Sequence, residues 1–145
     1  MCSRDKARIV SADEREGDLR RILNFGHTLG HAIERITGYT VFHGQAVAAG
    51  MLFGAWVSCQ LGLLTRKDLT RIQDLIRREH IIPDGIELPR IEKLAELISR
   101  DKKATGDGIY FVLTPSIGNV TVKKLTDSQV LDAYKGFLHG FEEGL

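Results

Sequence analysis

Residues 46–57, Ala-Val-Ala-Ala-Gly-Met-Leu-Phe-Gly-Ala-Trp-Val, are small or apolar without exception. Wound into a helix, such a run has no polar side to offer water, so it has to lie inside a core. Its 12 residues fall short of the roughly 20 that cross a bilayer. The chain must therefore fold as a cover around one central helix, placed at 45–61. With 145 residues, 43% of them hydrophobic and 27% charged, there is material for one domain with a substantial core. A net charge of +1 gives no basis for a nucleic-acid partner or a membrane-surface partner. Cys2 and Cys59 are the two cysteines. One stands at the terminus and the other in the core helix, so no disulfide is expected and a reducing, cytoplasmic setting is favoured. The N-terminus has no apolar secretory run. Its abrupt opening on Cys2-Ser-Arg-Asp-Lys suggests a piece of a longer protein.

The segment before the core helix holds the chemistry. Taken as one helix over 19–37, at 100° per residue, it puts Arg20, Asn24, His27, His31 and Arg35 in one stripe. Ile22, Phe25, Leu29, Ile33 and Ile36 fall opposite, as an ordinary core face. Solvent faces usually mix lysine and glutamate. This stripe has two guanidiniums, an amide and two imidazoles, and no carboxylate. That set suits an anionic ligand, a metal, or both. Gly26 and Gly30 lie on a third side; each costs about 1 kcal/mol in helix propensity relative to Ala, so a close helix contact is expected there. The turn at 38–44 adds a third imidazole, His43, at the edge of the core helix. Two histidines four apart can reach one ligand or metal, and a catalytic zinc takes three protein ligands and keeps one open position.

The remainder reads as scaffold. Asp13, Glu14 and Glu16 lie in a charged loop, and Asp18 is a plausible N-cap for 19–37. Gly62 suits a helix C-cap, and Thr65 caps a third helix at 66–79, whose arginines and lysines read as a solvated face. His80, in a connector, and His139, in the tail, read as structural. A fourth helix is expected at 91–102. Residues 108–114 and 119–124, around Pro115-Ser-Ile-Gly118, form a β-hairpin, which must pack on the helices because an isolated hairpin is marginal. Thr126-Asp-Ser-Gln129 fits a capping box opening a last helix at 127–139. The fold class is mainly α: a helical domain of about five or more helices with one small β-hairpin near the C-terminus.

The string Leu23-Asn-Phe-Gly-His27-Thr-Leu-Gly-His31-Ala-Ile-Glu34, followed by His43-Gly-Gln-Ala-Val-Ala-Ala-Gly50-Met51, resembles the 3-dehydroquinate synthase family. The resemblance extends through Lys6-Ala7, Asp13-Glu-Arg-Glu-Gly17, Asp101-Lys-Lys103 and the hairpin, so it covers essentially the whole chain. It matches only the C-terminal, helical domain of that family and not its N-terminal nucleotide-binding domain. It implies a lyase of the shikimate pathway and aromatic amino acid biosynthesis, which converts 3-deoxy-D-arabino-heptulosonate 7-phosphate to 3-dehydroquinate and phosphate. The implied cofactors are a divalent metal (zinc, or cobalt) and NAD, the latter held mainly by the N-terminal domain.

Carried over residue by residue, the resemblance makes His27 and His43 metal ligands, the third ligand being a glutamate of the N-terminal domain. It makes His31 an active-site histidine that contacts substrate, and Glu16 a member of the catalytic hydrogen-bond network. Lys6, Arg20, Asn24 and Lys103 (or Lys102) bind the substrate's carboxylate, hydroxyls and phosphate. The implied partners are the sugar acid phosphate and the N-terminal domain. A polar stripe left facing solvent could also capture sulfate or phosphate, or pair with a second copy as a homodimer. Gln45 departs from the glutamate often found after the His-Gly pair. That leaves room for another NAD- and metal-dependent sugar phosphate cyclase. A metal-dependent alcohol or glycerol dehydrogenase is a more distant alternative, and the carboxylate-binding set of Lys6, Arg20 and Asn24 argues against it. A non-catalytic helical interaction domain is the reading from a different class. Alone, the chain is expected to bind metal weakly and to turn nothing over.

Overall fold

A computed structural model describes residues 19–105 and 108–142, with the side chains of 19–20, 101–105 and 142 outside the description. A 3₁₀-helix, Leu19–Asn24, leads into α1 (His27–Ile36), α2 (His43–Gln60), α3 (Arg66–Arg78) and α4 (Ile91–Thr105). Strands β1 (Ile109–Ser116) and β2 (Asn119–Leu125) follow, and then α5 (Asp127–Glu142). The result is a mainly helical domain with one antiparallel hairpin. No described helix is long and apolar enough to cross a membrane.

α2 is the centre, as its composition requires. Ala46, Ala49, Leu52, Phe53, Ala55 and Val57 are all buried, and α1, α3, α5 and β1 pack around them. Phe53 anchors an aromatic cluster, with ring centroids 5.7 Å from Phe111, 5.3 Å from Tyr134 and 5.2 Å from Phe137. Such edge-on and tilted pairs add to the burial energy of large rings. The buried Tyr134 hydroxyl donates to the Pro89 carbonyl at 2.7 Å, and burial raises its pKa above the ordinary phenol value. Cys59 is a half-buried free thiol.

The hairpin is pinned by one buried hydroxyl. Ser58 Oγ donates to the Gly54 carbonyl at 2.7 Å and accepts the Thr114 N–H at 2.9 Å. Ile109, Phe111, Val112 and Leu113 of β1 are buried, which is how the hairpin escapes being marginal. Its register breaks between Leu113 and Ser116, where Pro115 has no N–H to give the ladder. Replacing Ser58 by Ala leaves the Thr114 N–H buried and unpaired. The expected loss of stability is about 1–3 kcal/mol, read as a shift in the urea midpoint.

The caps behave as the residue types dictate. Thr65 Oγ1 accepts the Asp68 N–H at 3.1 Å. Thr126 and Gln129 cap reciprocally: the Thr126 N–H donates to Gln129 Oε1 at 2.9 Å, and the Gln129 N–H donates to Thr126 Oγ1 at 3.2 Å. Gly62 lies in the left-handed region at φ 70° just past α2.

The expected single helix over 19–37 is corrected: it is two elements. Gly26 has φ 81°, which ends the 3₁₀ segment and restarts the chain as α1. The cause lies in α2. A Cβ on Gly26 would sit 2.5 Å from the Val47 carbonyl oxygen, and a Cβ on Gly50 would sit 1.8 Å from that of Gly26. A Cβ on Gly30 would approach the Val47 Cα to 3.2 Å. The glycines expected to mark a close contact do so, and the closest part of it bends the chain at Gly26. Asp18, the expected N-cap, lies outside the described residues.

Candidate functional site

Three imidazoles meet where α1 and α2 begin. His27 is the first residue of α1, His31 stands one turn further on, and His43 is the first residue of α2. Their ring centroids are 5.3 Å apart for His27–His31, 5.4 Å for His27–His43 and 6.3 Å for His31–His43. The small residues at the α1–α2 contact allow this, because side chains at Gly30 and Gly50 would push the helices apart.

The hydrogen bonds separate the three rings into two kinds. His27 Nδ1 lies 3.2 Å from the Phe25 carbonyl oxygen. A carbonyl can only accept, so Nδ1 carries the proton and the neutral ring's lone pair is on Nε2. His43 Nδ1 lies 2.9 Å from Glu34 Oε1, and an ionised carboxylate likewise only accepts. In the neutral form of either ring, this bond puts the proton on Nδ1 and leaves Nε2 to coordinate a cation. His31 has no such anchor among the described residues. It is exposed, and its pKa is lowered, chiefly by partial desolvation and then by the neighbouring His27.

This donor set fits a divalent metal as half of a site. A tetrahedral zinc with Zn–N bonds of about 2.0–2.1 Å holds two imidazole centroids roughly 5 Å apart, close to the His27–His43 separation. Among the described residues, no group of three or more His, Cys, Asp or Glu is placed to hold a metal ion. Among the described residues, His27 and His43 are the pair whose Nδ1 atoms are both engaged by an oxygen acceptor.

A cleft of about 400 Å³ runs along the same face. One wall is Asn24, His27, Thr28, His31 and Arg35; the other includes Leu94, Leu97, Ile98 and Tyr110. Asn24, His31 and Arg35 are exposed to it. The Arg21 guanidinium stacks 3.7 Å from the centre of the Tyr110 ring, a cation–π contact that ties the 3₁₀ segment to β1. The cleft thus has a polar, cationic side and an apolar side, a combination that suits a small anion with a carbon skeleton.

Asn24, His27 and His31 line one cleft, and the His43 ring lies beside those of His27 and His31. Lys6 and Glu16 lie outside the described residues. Arg20 is in the 3₁₀-helix and Lys102 and Lys103 are in the last turn of α4, with their side chains outside the description. The stripe of Arg20, Asn24, His27, His31 and Arg35 holds no carboxylate of its own, but Glu34 lies next to it and is bonded to His43. Glu34 stands three residues after His31 and seven after His27, spacings that put it at the edge of the same helix face, so the signal was available. The Arg21–Tyr110 contact joins distant parts of the chain and had no local signal. Gln45 Oε1 accepts the Phe42 N–H at 3.3 Å, so the glutamine at this position serves as a helix cap.

Residues 1–104 match the family described as 3-dehydroquinate synthase C-terminal. The 3-dehydroquinate synthase of Geobacter sp. (strain M21) is 44% identical over 125 residues, covering 84% of this chain and 34% of that protein. The one from Thermoanaerobacter pseudethanolicus is 42% identical over 131 residues, covering 90% of this chain and 36% of that protein. This chain therefore spans about a third of the length of these relatives. Among solved structures, 2-epi-5-epi-valiolone synthase from Streptomyces hygroscopicus subsp. jinggangensis, with NAD+ and Zn2+ bound, superposes with a TM-score of 0.77 at 21% identity. That match covers 92% of this chain and 37% of the enzyme. A 2-deoxy-scyllo-inosose synthase complexed with carbaglucose-6-phosphate, NAD+ and Co2+ gives a TM-score of 0.68 at 19% identity, covering 83% of this chain and 35% of that enzyme. These two likenesses concern the fold. The sequence matches place this chain in the 3-dehydroquinate synthase C-terminal family.

Proposed function

We propose that this chain is the metal- and substrate-binding helical domain of a cytoplasmic 3-dehydroquinate synthase. Its activity would be conversion of 3-deoxy-D-arabino-heptulosonate 7-phosphate to 3-dehydroquinate and phosphate, in company with an N-terminal NAD-binding domain. The observation that carries this reading is the pair His27 and His43, 5.4 Å apart, each with Nδ1–H engaged and Nε2 left for a cation. A divalent cation held there supplies Lewis-acid polarisation of a substrate oxygen, and NAD on the other domain supplies the hydride acceptor and donor.

The chain's own residues do the holding. Asn24 and His31 line the cleft and would hydrogen-bond the substrate's hydroxyls and phosphate. Lys6, Arg20 and Lys103 (or Lys102) would neutralise its carboxylate and phosphate, and Glu16 would join the hydrogen-bond network around the reacting centre. Fixing both anionic ends holds the hydroxyl to be oxidised in place, and orientation of this kind lowers the barrier without any new chemistry. The apolar wall of Leu94, Leu97 and Ile98 excludes water from the carbon face.

The test is phosphate release by a chimera in which this chain replaces the C-terminal third of the Geobacter relative, with NAD and zinc added. Release from the heptulosonate phosphate is expected from the chimera, and none from this chain alone. A folded chimera that binds NAD and zinc but acts only on a different sugar phosphate would assign the chain to another cyclase. Phosphate release by the isolated chain would contradict the proposed division of labour.

A further inference from the structure

Glu34 is the one carboxylate the described structure places against the histidine cluster. Its side chain is only 12% exposed, whereas that of His43 is 58% exposed. A nearly buried carboxylate reaching out to an exposed imidazole at 2.9 Å is not simply a surface ion pair, which contributes little. The two residues come from different helices: Glu34 from the last turn of α1, and His43 from the first residue of α2. Without a partner, an exposed histidine ring turns freely and its neutral form favours the proton on Nε2, the nitrogen a cation would need.

We infer that Glu34 is a positioning residue: it holds His43 in the Nδ1–H tautomer, with Nε2 turned to the same ligand as His27. The inference rests on the reading of His27 and His43 as a metal half-site. The backbone carbonyl of Phe25 does the same for His27, so the two rings are oriented by different means. One anchor is part of the backbone and cannot be removed by substitution. The other is a side chain and can. The half-site is therefore set before any cation arrives, and the His43 arm of it depends on α1 as well as on α2.

The experiment is long-range proton–nitrogen NMR of the histidine rings in this chain, free of metal, at a pH above the ordinary imidazole pKa of about 6.5. In the wild type, His43 and His27 should both show the Nδ1–H pattern. In Glu34→Ala, His43 should revert toward the Nε2–H form while His27 stays unchanged, and zinc affinity should fall about 10–100-fold. Glu34→Gln should retain the tautomer, since an amide oxygen still accepts the bond.

A wild-type His43 found mainly as Nε2–H overturns the inference, and that result does not depend on any variant folding. An unchanged His43 pattern in folded Glu34→Ala overturns it too. If the tautomers behave as expected but the wild type binds no zinc, the positioning role stands and the metal reading of the site falls.

Discussion

Gly50→Ala is expected to be the most damaging single substitution in the described structure. An added Cβ would lie 1.8 Å from the Gly26 carbonyl oxygen and 2.7 Å from its carbonyl carbon. Both are backbone atoms, so no side chain can rotate away. Overpacking typically costs about 1–3 kcal/mol, and a backbone-to-backbone clash belongs at or beyond the top of that range. Against a total stability of about 5–15 kcal/mol, the urea midpoint should drop sharply. Any folded fraction should also have lost zinc binding, because separating α1 from α2 moves His27 away from His43. Gly44→Ala is the control. No described atom would lie within 4 Å of its Cβ, and Ala is the better helix former, so the midpoint should hold or rise slightly.

The second large effect is on chemistry. In the chimera with the Geobacter N-terminal part, His27→Ala and His43→Ala should each lower kcat/KM by about 10³ or more. A Lewis-acid metal contributes several kcal/mol to the transition state, and each 1.36 kcal/mol is tenfold. Bound metal should fall in parallel. His31→Ala should also lower the rate but keep its metal, because His31 has no anchoring bond among the described residues and is read as a substrate contact. Metal analysis beside the kinetics distinguishes the two behaviours. Equal metal loss in all three variants would make His31 a ligand and would change the assignment.

Much of this fold could be read from local pattern. A run of twelve small and apolar residues demands burial, and α2 is buried along most of its length. Thr65, Thr126 and Gln129 announce helix starts through side chains that accept or donate within three residues, and they do so here. The hairpin follows from β-branched strands around a turn. What could not be read depends on partners distant in sequence. The 19–37 segment has unbroken helical periodicity, and it bends at Gly26 because α2 approaches too closely for a straight helix. Ser58 is one hydroxyl in an apolar helix, and nothing nearby in sequence says that Thr114 will donate to it.

The candidate site divides in the same way. His27 and His31 were legible from helical spacing, and the turn after their helix pointed to His43, whereas Asn24 sits across the break at Gly26. Glu34 was passed over because the stripe was drawn too narrowly: at 100° per residue it falls beside His31 and not on its line. Its role appears only once α2 brings His43 across to it. Arg21 on Tyr110 had no local sign, since 3₁₀ segment and strand are far apart in the chain.

Calorimetric titration of this chain with zinc, with His27→Ala, His43→Ala and His31→Ala beside the wild type, tests the central claim most directly. The two-histidine half-site predicts one weak site per wild-type chain, lost in His27→Ala and in His43→Ala and kept in His31→Ala. Binding that survives in His27→Ala or His43→Ala, or no binding to the wild type at all, would contradict a half-site formed by this chain on its own.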